Sequence, residues 1–395
     1  MKPLEKIKIL DLTRVLAGPF CTMILSDLGA EVIKVEVPGT GDDARCFGPF
    51  KNGQSLYFLS INREKKSISI NLKTEKGKEI FKELIKHFDI VIENFRPGTM
   101  EKLGLGYETL NQLNSKLIYA ASSGYGHSGP SSQKASYDIL AQAMGGIMSI
   151  TGWPETPPTR VGMSLGDITA SLYSAIGILA ALQHRNNTGL GQKVDVAMLD
   201  CQVSILENAI TRYQVEGKSP QPLGNRHPTI APFQAFKASD SYFVVAAGND
   251  SLWKKLCEVI DRKDLLINDH FITNDLRTQN LTNLVKELDS TFATKTAAEW
   301  VEIIDNAGVP CGPINTIEKL FSEPQINARN MIVEVEDKKA GTIKIAGNPI
   351  KMSLLDERTT RNAAPEIGEH NFEVLSNFLG LSEDEVNELK ESGVL

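Results

Sequence analysis

The sequence predicts an α/β fold: a large domain with a parallel, doubly wound sheet, followed by a smaller α+β domain. Three observations carry the prediction. Segments with strand and helix patterning alternate through the first half of the chain, as they do when helices cover both faces of a parallel sheet. A Pro/Gly-rich stretch, Gly217-Lys-Ser-Pro-Gln-Pro-Leu-Gly224, interrupts the alternation and marks a domain boundary. Beyond it, strand pairs joined by short turns take over.

Taken in order, Ile7–Leu12 reads as the first strand. Pro19 then opens a helix through Leu28, Gly29 stops it, and Glu31–Val37 is the next strand, a βαβ unit punctuated by Pro and Gly. The stretch between Val37 and Ser67 reads as a long loop, of a length that in compact domains is usually functional or mobile. Strands follow at Ser67–Leu72, Asp89–Glu93 and Leu117–Ala121, with helices between them at Glu75–Lys86 and Tyr107–Asn114. Ile168, Leu172, Ala175, Ile176, Leu179 and Leu182 recur at helical spacing, which predicts a buried helix stopping near Gly189. Gln192–Met198 reads as another strand and Asp200–Val215 as a helix. After the boundary come a hairpin at Phe233–Phe236 and Tyr242–Ala246, helices at Ser251–Val259, Thr282–Phe292 and Ala297–Asn306, a second hairpin at Met331–Glu336 and Thr342–Ile345, and a polar helical tail from Glu369.

The totals exclude several function classes. A formal net charge of −7 argues against a general nucleic-acid binder. The N-terminal residues lack the apolar stretch of a signal peptide, and the longest nearly unbroken apolar run, Ala175–Leu182, is too short to span a bilayer. The five cysteines lie tens of residues apart with no C-x-x-C, which suggests free thiols in a reducing compartment. The histidines are equally scattered, so no metal site is expected. These observations point to a cytoplasmic protein without membrane or nucleic-acid partners.

Two catalytic motifs occur literally and fail on context. Gly162-Met-Ser-Leu-Gly166 matches the G-x-S-x-G nucleophile elbow of serine hydrolases, but the preceding Pro154-Glu-Thr-Pro-Pro-Thr-Arg160 cannot form the buried strand an elbow requires. Gly124-Tyr-Gly-His-Ser-Gly129 matches G-x-G-x-x-G after a strand. No acidic residue follows at the distance a dinucleotide site needs. Asp167 is the more interesting residue. It stands at the N-cap of the predicted helix, between small residues, where its carboxylate can cap the helix or attack a substrate. At a helix start it is expected to stay ionised.

Several stretches read together resolve the choice. They are Val15-Leu-Ala-Gly-Pro-Phe20, Gly29-Ala-Glu-Val-Ile-Lys-Val-Glu36, Glu93-Asn-Phe-Arg-Pro-Gly98, Ser136-Tyr-Asp138, Gly166-Asp167, Gly177-Ile-Leu-Ala-Ala-Leu182, Gly191-Gln-Lys-Val-Asp195 and Gly224-Asn-Arg-His227. In this order and spacing the chain closely resembles the family III CoA-transferases over nearly its whole length. That family includes formyl-CoA:oxalate, carnitine and succinyl-CoA-dependent dicarboxylate CoA-transferases and is related to α-methylacyl-CoA racemase. The resemblance implies a large Rossmann-like domain over residues 1–200, completed by 330–395, a linker at 201–224 and a small domain at 225–329. It also implies an obligate homodimer of two interlocked chains. The expected substrates are an acyl-CoA and a small carboxylic acid, with coenzyme A as substrate and no prosthetic group.

The resemblance further assigns residues. Asp167 takes the place of the family's nucleophile, with Asp138 and Tyr137 at neighbouring catalytic positions. Leu16, Ala17, Asn71, Leu72, Lys73, Asn94, Phe95, Arg96, Lys102, Lys134, Ala135, Ser136 and Tyr137 fall where the family binds CoA. Val37 stands where formyl-CoA transferase has an arginine. Gly248 and Asn249, in a stretch that replaces that enzyme's glycine loop, and Arg226 and His227 fall to the acid substrate. The racemase branch uses a histidine in a Gly-His-Asp stretch. Here Tyr137 occupies that position, and a phenol with an ordinary pKa near 10 is a poor base at neutral pH. The transferase is therefore the expected activity.

Overall fold

Six short aliphatic runs pair into one parallel sheet: β1 (Lys8–Asp11), β2 (Glu31–Glu36), β3 (Lys66–Ser69), β4 (Ile90–Glu93), β5 (Ile118–Ser123) and β6 (Lys193–Ala197). The computed structural model describes residues 2–355 and 358–395. The sheet lies in the first of two bodies, which comprises Met1–Met148, Arg160–Gly217 and Pro324–Leu395. Its strand order is β3-β2-β1-β4-β5-β6.

Period-two alternation buries both faces. Ile9, Val32, Ile90 and Ile92 pack with Cys21 and Leu25 of helix Ala17–Asp27 and with Ala175, Ile178 and Leu182 of helix Leu165–Thr188. Their sequence neighbours Leu10, Ile33 and Val91 meet the opposite layer. There they pack with Phe81 and Leu84 of helix Glu75–Ile85, Val374 and Leu375 of helix Asn371–Leu379, and Val386 of helix Glu383–Glu391. Each fully buried side chain of this kind contributes roughly 1.5–3 kcal/mol relative to exposure. The strands lie where the sequence predicts, with ends shifted by a residue or a few.

Three expectations need correction. Residues 38–66 are not a structureless loop, since they form a 3-10 turn at Asp43–Cys46, a short antiparallel ladder and a helix at Leu56–Asn62. Phe58 and Leu59 of that helix pack on the hairpin Ile332–Asp337/Gly341–Ala346, so distant residues supply the order. The helix expected at Asp200–Val215 is two helices, Met198–Ser204 and Ala209–Glu216, with Glu207 between them at φ 55. Residues expected to form a linker, up to Gly217, thus belong to the first body. Finally, Ser164 and not Asp167 occupies the N-cap of helix Leu165–Thr188, and Asp167 is its third residue.

The second body, Ser149–Thr159 with Lys218–Glu323, is built on a three-stranded antiparallel sheet. Phe233–Lys237 and Tyr242–Ala246 form the predicted hairpin, and Cys311–Pro313 joins its second strand. Phe292 sits at the centre of the core, edge-on to Phe236, Phe243 and Trp300 at centroid distances of 5.3, 5.0 and 5.4 Å. A Thr296/Glu299 capping box starts helix Ala297–Asn306.

One helix, Leu165–Thr188, is long and apolar enough to cross a membrane by length and composition, and half of its most apolar window is buried in the first body. All five cysteines are free thiols.

Candidate active site

In a doubly wound sheet of this order the chain leaves β1 in one direction and returns to β4 on its other side. A crevice therefore opens beyond the carboxyl ends of those two strands. The loops that follow them, Arg14–Ala17 and Asn94–Pro97, both line a cavity of about 310 Å³ together with Ser122–Gly124, Lys134–Tyr137 and Asp167.

Buried charges hold the first loop in place. Asp11, fully buried at the end of β1, accepts from Thr13 N (2.9 Å), Thr13 Oγ1, Thr22 Oγ1 (2.6 Å) and Lys65 Nζ (3.1 Å). Burial works to raise its carboxyl, but Lys65 and Lys34 prevail and hold it at about 2. Lys34 Nζ donates to Thr13 O (2.7 Å) and pairs with Asp42 Oδ2 (2.8 Å). Asp42 in turn accepts from Val15 N (3.0 Å), a residue held at φ 66. The loop then enters helix Ala17–Asp27, whose N-cap, Leu16, offers no side-chain cap. The opening N–H groups of that helix are thereby left beside the cavity. Ser171 Oγ donates to Ala17 O (2.6 Å) and ties the starts of the two helices together.

Asp167 is half-buried, and no hydrogen bond from a described residue reaches its carboxylate. Burial pushes the carboxyl up to about 7; the nearby Asp138 charge adds to the rise and the Arg160 guanidinium opposes it. The expectation that a helix start alone would keep Asp167 fully ionised is thus overturned by desolvation and a like charge. Asp138 is in the opposite situation. Its Oδ1 accepts from Gly166 N (2.8 Å) and Gln142 Nε2 (3.0 Å), and its Oδ2 from Arg160 Nε (3.0 Å), Arg160 Nη2 (2.8 Å) and Gln142 Nε2 (2.9 Å). Gly166 makes a close approach here: a Cβ there would lie 3.2 Å from Asp138 Oδ1 and from Ala141 Cβ, so one of those neighbours would have to shift.

A second cavity, about 650 Å³, lies over the ends of β2 and β3 and shares Arg14 and Phe95 with the first. Val37, Asn71, Leu72, Lys73 and Lys102 line it. Arg14 stands over the Phe95 ring at 5.3 Å and is locked by Arg14 N to Asn94 Oδ1 (2.9 Å) and Asn94 Nδ2 to Arg14 O (2.8 Å). Lys73, Arg96 and Lys102 are exposed, and none pairs with a carboxylate among the described residues.

The first body thus gathers Asp167, Asp138 and Tyr137 with every residue expected to bind CoA. Tyr137 stands at the cavity rim, 76 % exposed. Gly248, Asn249, Arg226 and His227 belong to the second body. There Asn249 caps helix Asp250–Val259 through Leu252 N (2.9 Å), and His227 accepts from Thr229 N (3.2 Å) and packs on Phe233. The G-x-S-x-G match is no elbow, since no strand enters it and Ser164 Oγ accepts from Arg160 (3.1 Å). Arg14, Gln142 and Arg160 escaped the sequence reading. Arg160 could have been suspected only as a single cation in a proline-rich stretch just before Asp167.

Comparison with known proteins shows the family. The model of CoA-transferase family III matches residues 4–371. The chain is 43% identical to an acetyl-CoA:oxalate CoA-transferase of Acetobacter aceti, covering 95% of this chain and 96% of that one. It is 41% identical to the human succinyl-CoA:glutarate CoA-transferase, covering 100% and 90% respectively. A crystal structure of a CAIB/BAIF family protein from Brucella suis superposes with a TM-score of 0.84 at 38% identity, covering 95% of this chain and 99% of that one. The chain belongs to CoA-transferase family III.

Proposed function

We propose that the protein moves CoA from an acyl-CoA to a carboxylic acid, with Asp167 as the covalent relay. The observation that carries this reading is a half-buried carboxylate, unclaimed by any hydrogen bond from a described residue, in the wall of a cavity at the sheet's switch point. An Asp167 oxygen attacks the acyl-CoA carbonyl, a C–O bond forms, the C–S bond breaks, and CoA leaves as thiolate. The thiolate attacks the aspartyl carbonyl of the mixed anhydride, which releases the donor acid and leaves an aspartyl-CoA thioester. The acceptor carboxylate displaces the thiolate from that thioester to form a second anhydride. Return of the thiolate to the acceptor's carbonyl regenerates Asp167.

The surroundings suit these steps. The uncapped start of helix Ala17–Asp27 supplies N–H groups for a developing oxyanion. The larger cavity takes the nucleotide half of CoA, with Lys73, Lys102 and Arg96 as phosphate partners, and the pantetheine passes Arg14 and Phe95 to reach Asp167. Exposed apolar side chains on helix Leu165–Thr188 support a homodimer. A racemase would need a second acid/base group, and neither the solvent-facing Tyr137 nor the fully engaged Asp138 provides one.

The test is to mix the protein with acyl-CoA donors alone, quench with hydroxylamine, digest, and read the Asp167 peptide by mass spectrometry. A hydroxamate at Asp167, together with a new CoA thioester once an acid is added, is the expected result. An unmodified Asp167 peptide under every donor would overturn the covalent mechanism.

A further inference from the structure

Arg160 touches neither the cavity nor the reacting atoms, yet every guanidinium nitrogen is engaged. Nε and Nη2 grip Asp138 Oδ2 (3.0 and 2.8 Å), Nη2 also reaches Ser164 Oγ (3.1 Å), and Nη1 reaches Gly162 O (3.2 Å). The other donors to Asp138 are Gly166 N, at the end of the nucleophile's loop, and Gln142 of Asp138's own helix, whose amide also meets Met163 O (3.3 Å) and Val161 N (3.0 Å) of that loop. Asp138 is thus the hub on which the segment from Arg160 to Gly166 is wound, and Arg160 is the cation that neutralises the hub.

Resting on the covalent reading of Asp167, we propose that Arg160 is a positioning residue: through Asp138 it fixes the entry to helix Leu165–Thr188 and so aims Asp167 at the bound acyl group. Asp138 then works as an anchor and not as a proton carrier. With four donor atoms on its two oxygens it has no lone-pair direction free for a substrate proton. Arg160 binds no acid substrate either, because its fork is spent on the chain. The charged groups facing Asp167 are Asp138 and Arg160, and the neutral phenol of Tyr57 lies near it.

The test is steady-state kinetics of Arg160→Gln, Arg160→Lys, Asp138→Asn and the double variant Arg160→Gln/Asp138→Asn, with melting curves for each. Misplacing a nucleophile by about 1 Å costs on the order of 10²-fold in rate. Arg160→Gln is therefore expected to lose roughly 100-fold in kcat with its KM for acyl-CoA unchanged, and Arg160→Lys about tenfold. Because the two residues act as one unit, the double variant should cost no more than the worse single variant. Asp138→Asn removes the like charge beside Asp167, so the acidic limb of its kcat profile should move to lower pH even as kcat falls. A wild-type kcat in Arg160→Gln, a loss confined to KM, or single effects that multiply in the double variant overturns the assignment. If Arg160→Gln does not fold, the Arg160→Lys/Asp138→Asn cycle is read by the same criteria. Wild-type protein that never forms an Asp167 hydroxamate overturns the covalent reading and this inference with it. A normal hydroxamate in wild type beside a fully active Arg160→Gln overturns this inference alone.

Discussion

A carboxylate attacks a thioester only when ionised, and the surroundings of Asp167 work against ionisation. Burial first, and the Asp138 charge second, push its carboxyl up to about 7. In the free enzyme kcat/KM should therefore fall as pH drops below about 7, and a profile flat down to pH 5 would refute that role for the group. The same shift has a consequence for stability. The folded pKa lies above the ordinary 3.8, so the folded chain holds this proton more tightly than the unfolded one. The contribution to folding is fully present below about pH 4 and is lost as pH rises through 7. Asp167→Asn should thus melt higher than wild type at pH 8, by on the order of 1 kcal/mol after discounting for solvent screening, and equally at pH 4. It should also lose on the order of 10⁴-fold or more in transfer. An Asn variant that melts lower at pH 8 would show that the Asp167 carboxylate stabilises the folded chain, against the desolvation argued here. Asp167 and Asp138 were legible because their stretches match a family pattern. Arg160 was not, since what gives it meaning is a carboxylate 22 residues upstream that no local periodicity links to it.

Among the elements, the sheet was legible and the segment that follows β2 was not. Strands β1 to β6 announce themselves through local alternation and Gly/Pro punctuation. Residues 38–66 look like loop because their order comes from non-local charges. Glu36 Oε1 pairs with Arg45 (2.7 Å), Arg45 reaches Pro365 O (2.9 Å), and Lys34 pairs with Asp42. The break at Glu207 was equally hidden, since nothing in Asp200–Val215 but one left-handed residue ends the helix. Asp42 lets this view be tested. Burial opposes its charge, yet Lys34 and the Ala44 and Val15 N–H groups hold its carboxyl below the usual range. Its stabilisation is therefore present above about pH 4 and lost as pH falls through the depressed value. Asp42→Ala takes one carboxylate from buried Lys34, which keeps Asp11 and Thr13 O, and frees the Val15 N–H, so it should cost about 1–3 kcal/mol. Because Val15 leads into the cavity wall, the KM for acyl-CoA should rise as well. A variant with wild-type melting and wild-type KM would show that the pair does not set the loop.

At the scale of the whole molecule, the apolar pattern of helix Leu165–Thr188 exceeds what one chain uses. Ala175, Ile178 and Leu182 face the sheet, but Leu172 (45 %), Ile176 (60 %) and Leu179 (38 %) form a second stripe open to solvent. The adjoining helices of the same body add Ile139, Leu140 and Met144 from Asp138–Met144, and Val203, Ile210 and Tyr213 from Met198–Ser204 and Ala209–Glu216. Exposed apolar side chains gathered on these helices support an association site on this body. The sequence reading placed Leu172, Ile176 and Leu179 on the buried face with Ile168, Ala175 and Leu182 and passed over the buried Ile178, because periodicity shows that a face is covered and not by what. A second copy of the chain is the occupant that the family likeness implies, and fully covering each of these side chains would contribute roughly 1.5–3 kcal/mol. Light scattering at micromolar concentration should then give about twice the 43.3 kDa of one chain. Ile176→Glu puts a charge in the middle of the stripe without touching the cavity or the sheet-facing residues. It should shift the mass toward 43.3 kDa while leaving the secondary structure of the chain intact. A wild-type protein that stays at 43.3 kDa across that concentration range, or an Ile176→Glu protein that stays at twice it, would show that this surface is not where two chains meet.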